Sequence, residues 1–443
     1  MVECDVTESE LKKIALGACF LGSGGGGGLK TSSDFITKYL ANLSEDDKNR
    51  KLKIVDLKDV TAGQTGIVGA YIGAPQKAGD IKCPDAVCEV INKFGNDKGI
   101  DYIIPGEIGA VSTITACLTA HKMGIPVLNV DGAGRAVPTL DLVTFTTNAH
   151  VSVNPTILCS ENGNKETTEY QVYHQVTLTL EVPNDTEPGA ASKMEFLARS
   201  ELSKPEFGQK AGLVMWYFDD LTKFKDNSHA FVQGTLTFCR ELGGAIQSMQ
   251  GENWEFSKIE ELFKSQSQSI YPAIKEKYSA IKEMCRGKLI SATTSTAGGF
   301  DVGVITIEGD SSIKDYSGHQ YTIIFQNESL ILWDSNYADP LAMAPDLISY
   351  SIEDDEKNYV FTNGDIMENG ELKEDLKGKN IVVYGIAAPE ALTESDNKIM
   401  DKRKDILRNT IAGVEHNALP KHYMSILNNI GYYGSCKSLK EKK

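Results

Sequence analysis

DYIIPGEIGAVSTITACLTAHKMGIPVLNVDGAGRAVP, residues 101–138, decides how this chain is read. Two β-rich runs, DYIIP at 101–105 and PVLNV at 126–130, flank AVSTITACLTAHKM, which reads as a helix. Strand, helix and strand in this order imply parallel pairing through a right-handed crossover. An acid stands just past each strand: Glu107 in PGEIG and Asp131 in DGAGR. Parallel strands deliver both carboxylates to one sheet edge, the edge at which open α/β sheets bind ligands. Arg135 lies in the same Gly-Ala-Gly-Arg turn as Asp131, where it can clamp a substrate carboxylate or hold one of the acids ionised. The plainer reading has Asp131 bonding its own turn, Glu107 solvated and Arg135 paired with either.

Outward from this unit the alternation continues. KIVDL at 53–57, GIVGAYI at 66–72 and LVTFTT at 142–147 read as strands, and PDAVCEVINKF reads as a helix. Residues 1–150 therefore predict a layered α/β core with a mainly parallel sheet. TESE at 7–10 has the form of a capping box, so a helix starts there, and Ser32 or Ser33 can cap a second. Residues 151–200 hold two β-rich runs around a polar turn, a hairpin excursion. Residues 201–285 read as a helical return, ending in KIEELFKSQSQSIYPAIKEKYSAIKEMC. From Gly287 strand and turn patterns take over, so 1–285 is expected as the α/β domain and 286–443 as a β-rich domain, barrel- or sandwich-like.

The 443 residues suit two domains. An excess of 61 acidic over 45 basic residues gives a net charge of −16, which disfavours nucleic acid and anionic lipid as partners. No run approaches the ~20 apolar residues that span a bilayer. Without a secretory pattern in MVECDVTESELKK, and with nine scattered cysteines, a reduced cytoplasmic protein is expected.

LGSGGGGGLK, residues 21–30, matches the dinucleotide fingerprint formally through Gly22, Gly24 and Gly27. A capped helix precedes it where that fold needs a strand, and GLK stands where a phosphate loop needs GK[ST], so no nucleotide is expected. The consecutive amides of Gly24, Gly25, Gly26 and Gly27 remain a receptor for an anionic or carbonyl oxygen. His150, after the run at 142–147, can reach the same edge, and it joins Ser112 and the glycines as an expected substrate-binding residue. Ser112 and Ser23 lack a GxSxG context, and covalent catalysis is not expected from sequence.

Taken together, FLGSGGGG, EIGA, GIPVLNVDGAGRAVPTL, AGGFDVG, FQNESL and APDLIS occur in the order found in the S-methyl-thiohydantoin desulfurase family, which this chain resembles along most of its length. The resemblance implies two domains and hydrolytic removal of sulfur from a thiohydantoin, hydantoin or related cyclic amide. For such a reaction we expect, as our own assignment on this chain, Glu107 as base or metal ligand, Asp131 as its partner and Arg135 as substrate clamp. A divalent metal at these acids is one arrangement it leaves open. The chain departs from the family pattern at Leu29, Lys30, Ala110, Ser112, Asn129 and Thr139. The alternative is a catalytically reduced binding or scaffold subunit of a hydantoinase-like assembly, and a homo-oligomer is equally compatible.

Overall fold

The computed structural model describes residues 1–73, 84–95, 99–161, 175–187, 189–226, 229–249, 254–265, 270–271, 279–297, 300–337, 339–353 and 359–393, with 430, 432 and 439. Two large sheets organise them, with a third of only two strands, Val130–Asp131 and Val232–Gln233, beside them. The first has eight strands in the order Val2–Cys4, Leu52–Val55, Val127–Leu128, Tyr102–Ile104, Gly66–Gly73, Lys210–Phe218, Thr156–Cys159 and Thr177–Leu180. The strands from Leu52–Val55 through Gly66–Gly73 pair in parallel, as the crossover predicts. The others extend this core with antiparallel neighbours.

The crossover helix Ala110–Met123 is buried nearly all round, with Ile114, Ala116, Cys117 and Leu118 fully buried. A helix of that kind must be covered on its outer side too. The helix Glu8–Leu21 packs over it and is itself covered by Thr235–Met249. Close packing requires small residues: a Cβ at Gly17 would lie 1.9 Å from the Cys239 carbonyl oxygen. Thr7 caps Glu8–Leu21 as the sequence predicts, accepting from the Glu10 amide at 3.3 Å.

Four expectations change. LVTFTT forms a 3-10 turn, Leu140–Leu142, and a short helix, Thr144–Thr147, because its hydroxyls find local acceptors: Thr147 Oγ1 donates to the Val143 carbonyl at 3.1 Å. The second helix begins at Leu29 with Gly28 as cap, ahead of Ser32. The stretch 201–285 contributes a nine-residue strand, Lys210–Phe218, to the centre of the first sheet. IKEMC at 281–285 opens a strand of the second sheet, because its buried Ile281 and Cys285 lie on a ladder with Ile386 and Val383. The hairpin excursion is present as the antiparallel pair Thr156–Cys159 and Thr177–Leu180, and its polar turn lies outside the described residues.

The second sheet is antiparallel and β-rich throughout, with nine strands. Its long strand Ile281–Ala297 pairs first with Asn380–Ile386 and then with Phe300–Gly309. Glu328–Asp334 and Leu347–Ile352 belong to this sheet and face the first domain through Ser329, Ile348 and Ser349.

Candidate functional site

Between Gly22 and Leu29 the chain passes as a strap between the two sheets. Ser23, Gly24, Gly26 and Gly27 all have positive φ, at 52°, 85°, 71° and 83°. The strap is pinned from both sides: Ser329 and Asn363 amides donate to the Ser23 and Gly24 carbonyls at 2.7 and 2.8 Å, and the Val111 amide donates to the Gly26 carbonyl at 2.9 Å. A Cβ on Gly25 would sit 2.0 Å from Glu328 Oε1, and one on Gly26 2.4 Å from the Gly109 Cα. The glycines are therefore a requirement of thickness as well as of backbone conformation.

The strap separates two cavities. One, of about 150 Å³, is lined by Gly26 and Gly27 with Glu107, Ser112, Glu195, Arg199 and Glu328. The other, of about 110 Å³, lies against Gly24, Gly25, Gly27 and Gly28 with Asp301, Asn363 and Asp365. Gly24 and Gly25 line this second cavity, Gly26 lines the one that holds Glu107, and Gly27 borders both.

Glu107 follows the strand Tyr102–Ile104 and lies against the first turn of the crossover helix. Its Oε1 accepts from Ser112 Oγ at 2.6 Å and its Oε2 from the Val137 amide at 2.7 Å. Burial raises its pKa, while these two donors and the nearby Arg135 oppose the rise. Glu328, 3% exposed, enters from the second sheet. Its pKa is pushed well above the usual carboxylate range, first by burial and then by the Glu107 charge. Its Oε2 is buried with no hydrogen-bond partner among the described residues. Glu328's rise is the larger and owes part of it to the Glu107 charge, so Glu328 is favoured as the protonated member and Glu107 as the ionised one.

The cavity's other charges come from Ala190–Leu202. Arg199 Nε and Nη2 both lie 2.8 Å from Glu195 Oε1, and Glu195 Oε2 accepts from the Leu140 amide at 2.9 Å. The guanidinium also lies 4.0 Å above the Phe300 ring of the second sheet.

Three expected site residues are placed elsewhere. Asp131 is fully buried outside this cavity, its Oδ1 accepting from the Ala133 and Gly134 amides at 2.7 and 2.5 Å. Burial pushes its pKa up to about 7. Arg135, equally buried, gives its N–H groups to the carbonyls of Ala136, Pro345, Asp346 and Ser329 at 2.9–3.2 Å. It fastens the second domain to the DGAGR turn and is not placed to clamp a substrate. His150 is exposed, and the turn before it does not lead to the cavity, because the strand expected there is a helix. Asn129, a departure from the family pattern, caps Thr235–Met249 by accepting from the Leu236 and Thr237 amides at 3.1 and 3.2 Å.

Sequence reading did not single out Glu328, Glu195 or Arg199 as site residues. Glu328 leaves one trace: in FQNESLILW an acid and an asparagine interrupt an apolar strand, and Asn327 adopts a φ of 56° there. Among the described residues no group of three or more His, Cys, Asp or Glu could hold a metal ion. No described helix is long and apolar enough to cross a membrane.

The fold and the motifs have a counterpart in known proteins. Residues 9–169 match the model of the S-Me-THD-like N-terminal domain, and residues 190–399 that of the C-terminal domain. The crystal structure of a protein from Chromobacterium violaceum is similar, at 26% identity and a TM-score of 0.72, over 99% of this chain and 100% of that one. No curated protein matches. With both domain models matched in order across most of its length, the chain belongs to the S-Me-THD-like family, the S-methyl-thiohydantoin desulfurase family.

Proposed function

We propose that the chain is a hydrolase that removes sulfur from a thiohydantoin or a related five-membered cyclic amide in the cavity shared by Glu107 and Glu328. The observation that carries this reading is the carboxyl pair itself: Glu107 bonded by two donors, Glu328 buried with its Oε2 unpartnered among the described residues, both lining one cavity. The ring carbon that bears sulfur lies between two nitrogens and is electrophilic. Displacement there needs a base for the attacking hydroxyl and an acid for the departing sulfur. Glu107, supported as an anion by Ser112 and Val137, suits the base. Glu328, held protonated, suits the acid and regains its proton from the second half of the reaction. Arg199 and Glu195 form the charged wall opposite.

The test is release of thiol or sulfide from S-methyl-thiohydantoin and thiohydantoin substrates. Glu107→Gln and Glu328→Gln should each lower kcat/KM by roughly 10²–10⁴-fold, the usual scale for general acid–base groups. Wild-type-like turnover by both variants would remove the pair from the chemistry. Absence of turnover by the wild type on any such ring would overturn the substrate assignment.

A further inference from the structure

No GxSxG surrounds Ser112, so its sequence context does not mark it as a nucleophile. Its surroundings in the fold are those of an activated hydroxyl. Ser112 Oγ donates to Glu107 Oε1 at 2.6 Å, the short end of the range for an O–H bonded to a carboxylate. It lines the cavity beside Glu328. It is the third residue of the 14-residue helix Ala110–Met123, whose amino-terminal end favours a developing negative charge on oxygen. Its backbone is fixed as well: the Val111 and Ser112 amides both donate to the Gly26 carbonyl, at 2.9 and 3.3 Å. Nucleophile, base and a second carboxyl with an unpartnered oxygen thus meet in one cavity.

We infer that Ser112 is the nucleophile of a two-step displacement, with Glu107 as its base; the choice of ring rests on the function proposed above. In the first step Ser112 Oγ bonds to the sulfur-bearing carbon and its proton passes to Glu107. The carbon–sulfur bond breaks, and the thiolate leaves as thiol with the proton of Glu328. The ring is now held on Ser112 as an O-linked isourea. In the second step water gives a proton to the Glu328 carboxylate and bonds to the same carbon. The carbon–Oγ bond breaks, Glu107 returns its proton to Ser112, and the oxo ring departs with both glutamates restored. The half-reactions use opposite protonation states of the two glutamates, which is the arrangement the coupled pair provides. No oxidant, reductant or cofactor enters.

Two readouts test this on the intact chain. With an S-methyl-thiohydantoin, acid-quenched wild type should carry the ring on the peptide containing Ser112, and thiol release should show a burst of about one equivalent per chain. Ser112→Ala should fold with an unchanged melting temperature and lose roughly 10³-fold or more in kcat/KM. Independently of any thiohydantoin, a fluorophosphonate should label Ser112 in the wild type and label Glu107→Gln far more slowly. Turnover with neither adduct nor label, or Ser112→Ala active within about tenfold, overturns the nucleophile and leaves the hydrolase reading standing. Labelled Ser112 without turnover of any thiohydantoin keeps the nucleophile and overturns the ring assignment. Neither label nor turnover overturns both. Mapping the label in the wild type decides the matter even if Ser112→Ala fails to fold.

Discussion

The turn that carries Glu107, after Tyr102–Ile104 of the eight-stranded sheet, and the turn that starts at Asp131, at the end of Val130–Asp131 in a two-stranded ladder with Val232–Gln233, are built from similar parts, an acid with a glycine close behind it. Glu107 has its oxygens bonded by donors from elsewhere, a helix hydroxyl and the Val137 amide, and lines an open cavity. Asp131 folds back and spends Oδ1 on the amides of its own turn. Sheet position brings an acid to the ligand-binding edge, but the reach of its side chain decides what it meets. The shorter aspartate closes a ring with the amides two and three residues on, as Asx turns do, while the longer glutamate spans to other elements.

The largest expected effect lies in the pH dependence of the open pair. With Glu107 required as anion and Glu328 as acid, kcat/KM should follow a bell, falling at low pH as Glu107 takes a proton and at high pH as Glu328 loses one. Glu328→Gln should abolish the alkaline limb of whatever activity remains and raise the melting temperature at alkaline pH, because the folded wild type holds on to a Glu328 proton that the unfolded chain releases. An unchanged limb would move the acid elsewhere.

The closed turn should answer in stability instead. Arg135→Met removes charged donors from three carbonyls of the second domain and should cost about 3 kcal/mol, read by urea unfolding. Asp131→Ala strands two buried amides and should cost roughly 2 kcal/mol, with Asp131→Asn much milder because Oδ1 remains. Asp131→Asn should also flatten the pH dependence of stability. Burial raises Asp131 to about 7, so the folded chain keeps a proton that the unfolded chain releases near the ordinary value of ~3.9. The wild type therefore loses stability as pH climbs through that window. The smallest effect belongs to His150→Ala, whose exposed ring should leave turnover within about twofold.

Much of this layout is legible in residues 101–138, because a crossover helix between two β-branched runs admits few topologies. Glu107 and Ser112 follow from that unit alone. Glu328 does not, since it stands 221 positions beyond Glu107 and reaches it only when the second sheet docks. Lys210–Phe218 is hidden for a related reason: it joins the first sheet between Gly66–Gly73 and Thr156–Cys159, partners far from it in sequence. LVTFTT misleads because its β-branched residues are buried all round, which removes the alternation that distinguishes a strand.

The glycine strap has a mechanical consequence. Its carbonyls are tied to the start of the Ser112 helix on one side and to the Glu328 strand on the other. Any hinge motion that drew the two sheets apart would pull on both attachments before it widened the gap between the carboxyls. The strap thus acts as a tether of fixed length that couples the spacing of the two sheets to the width of the cavity.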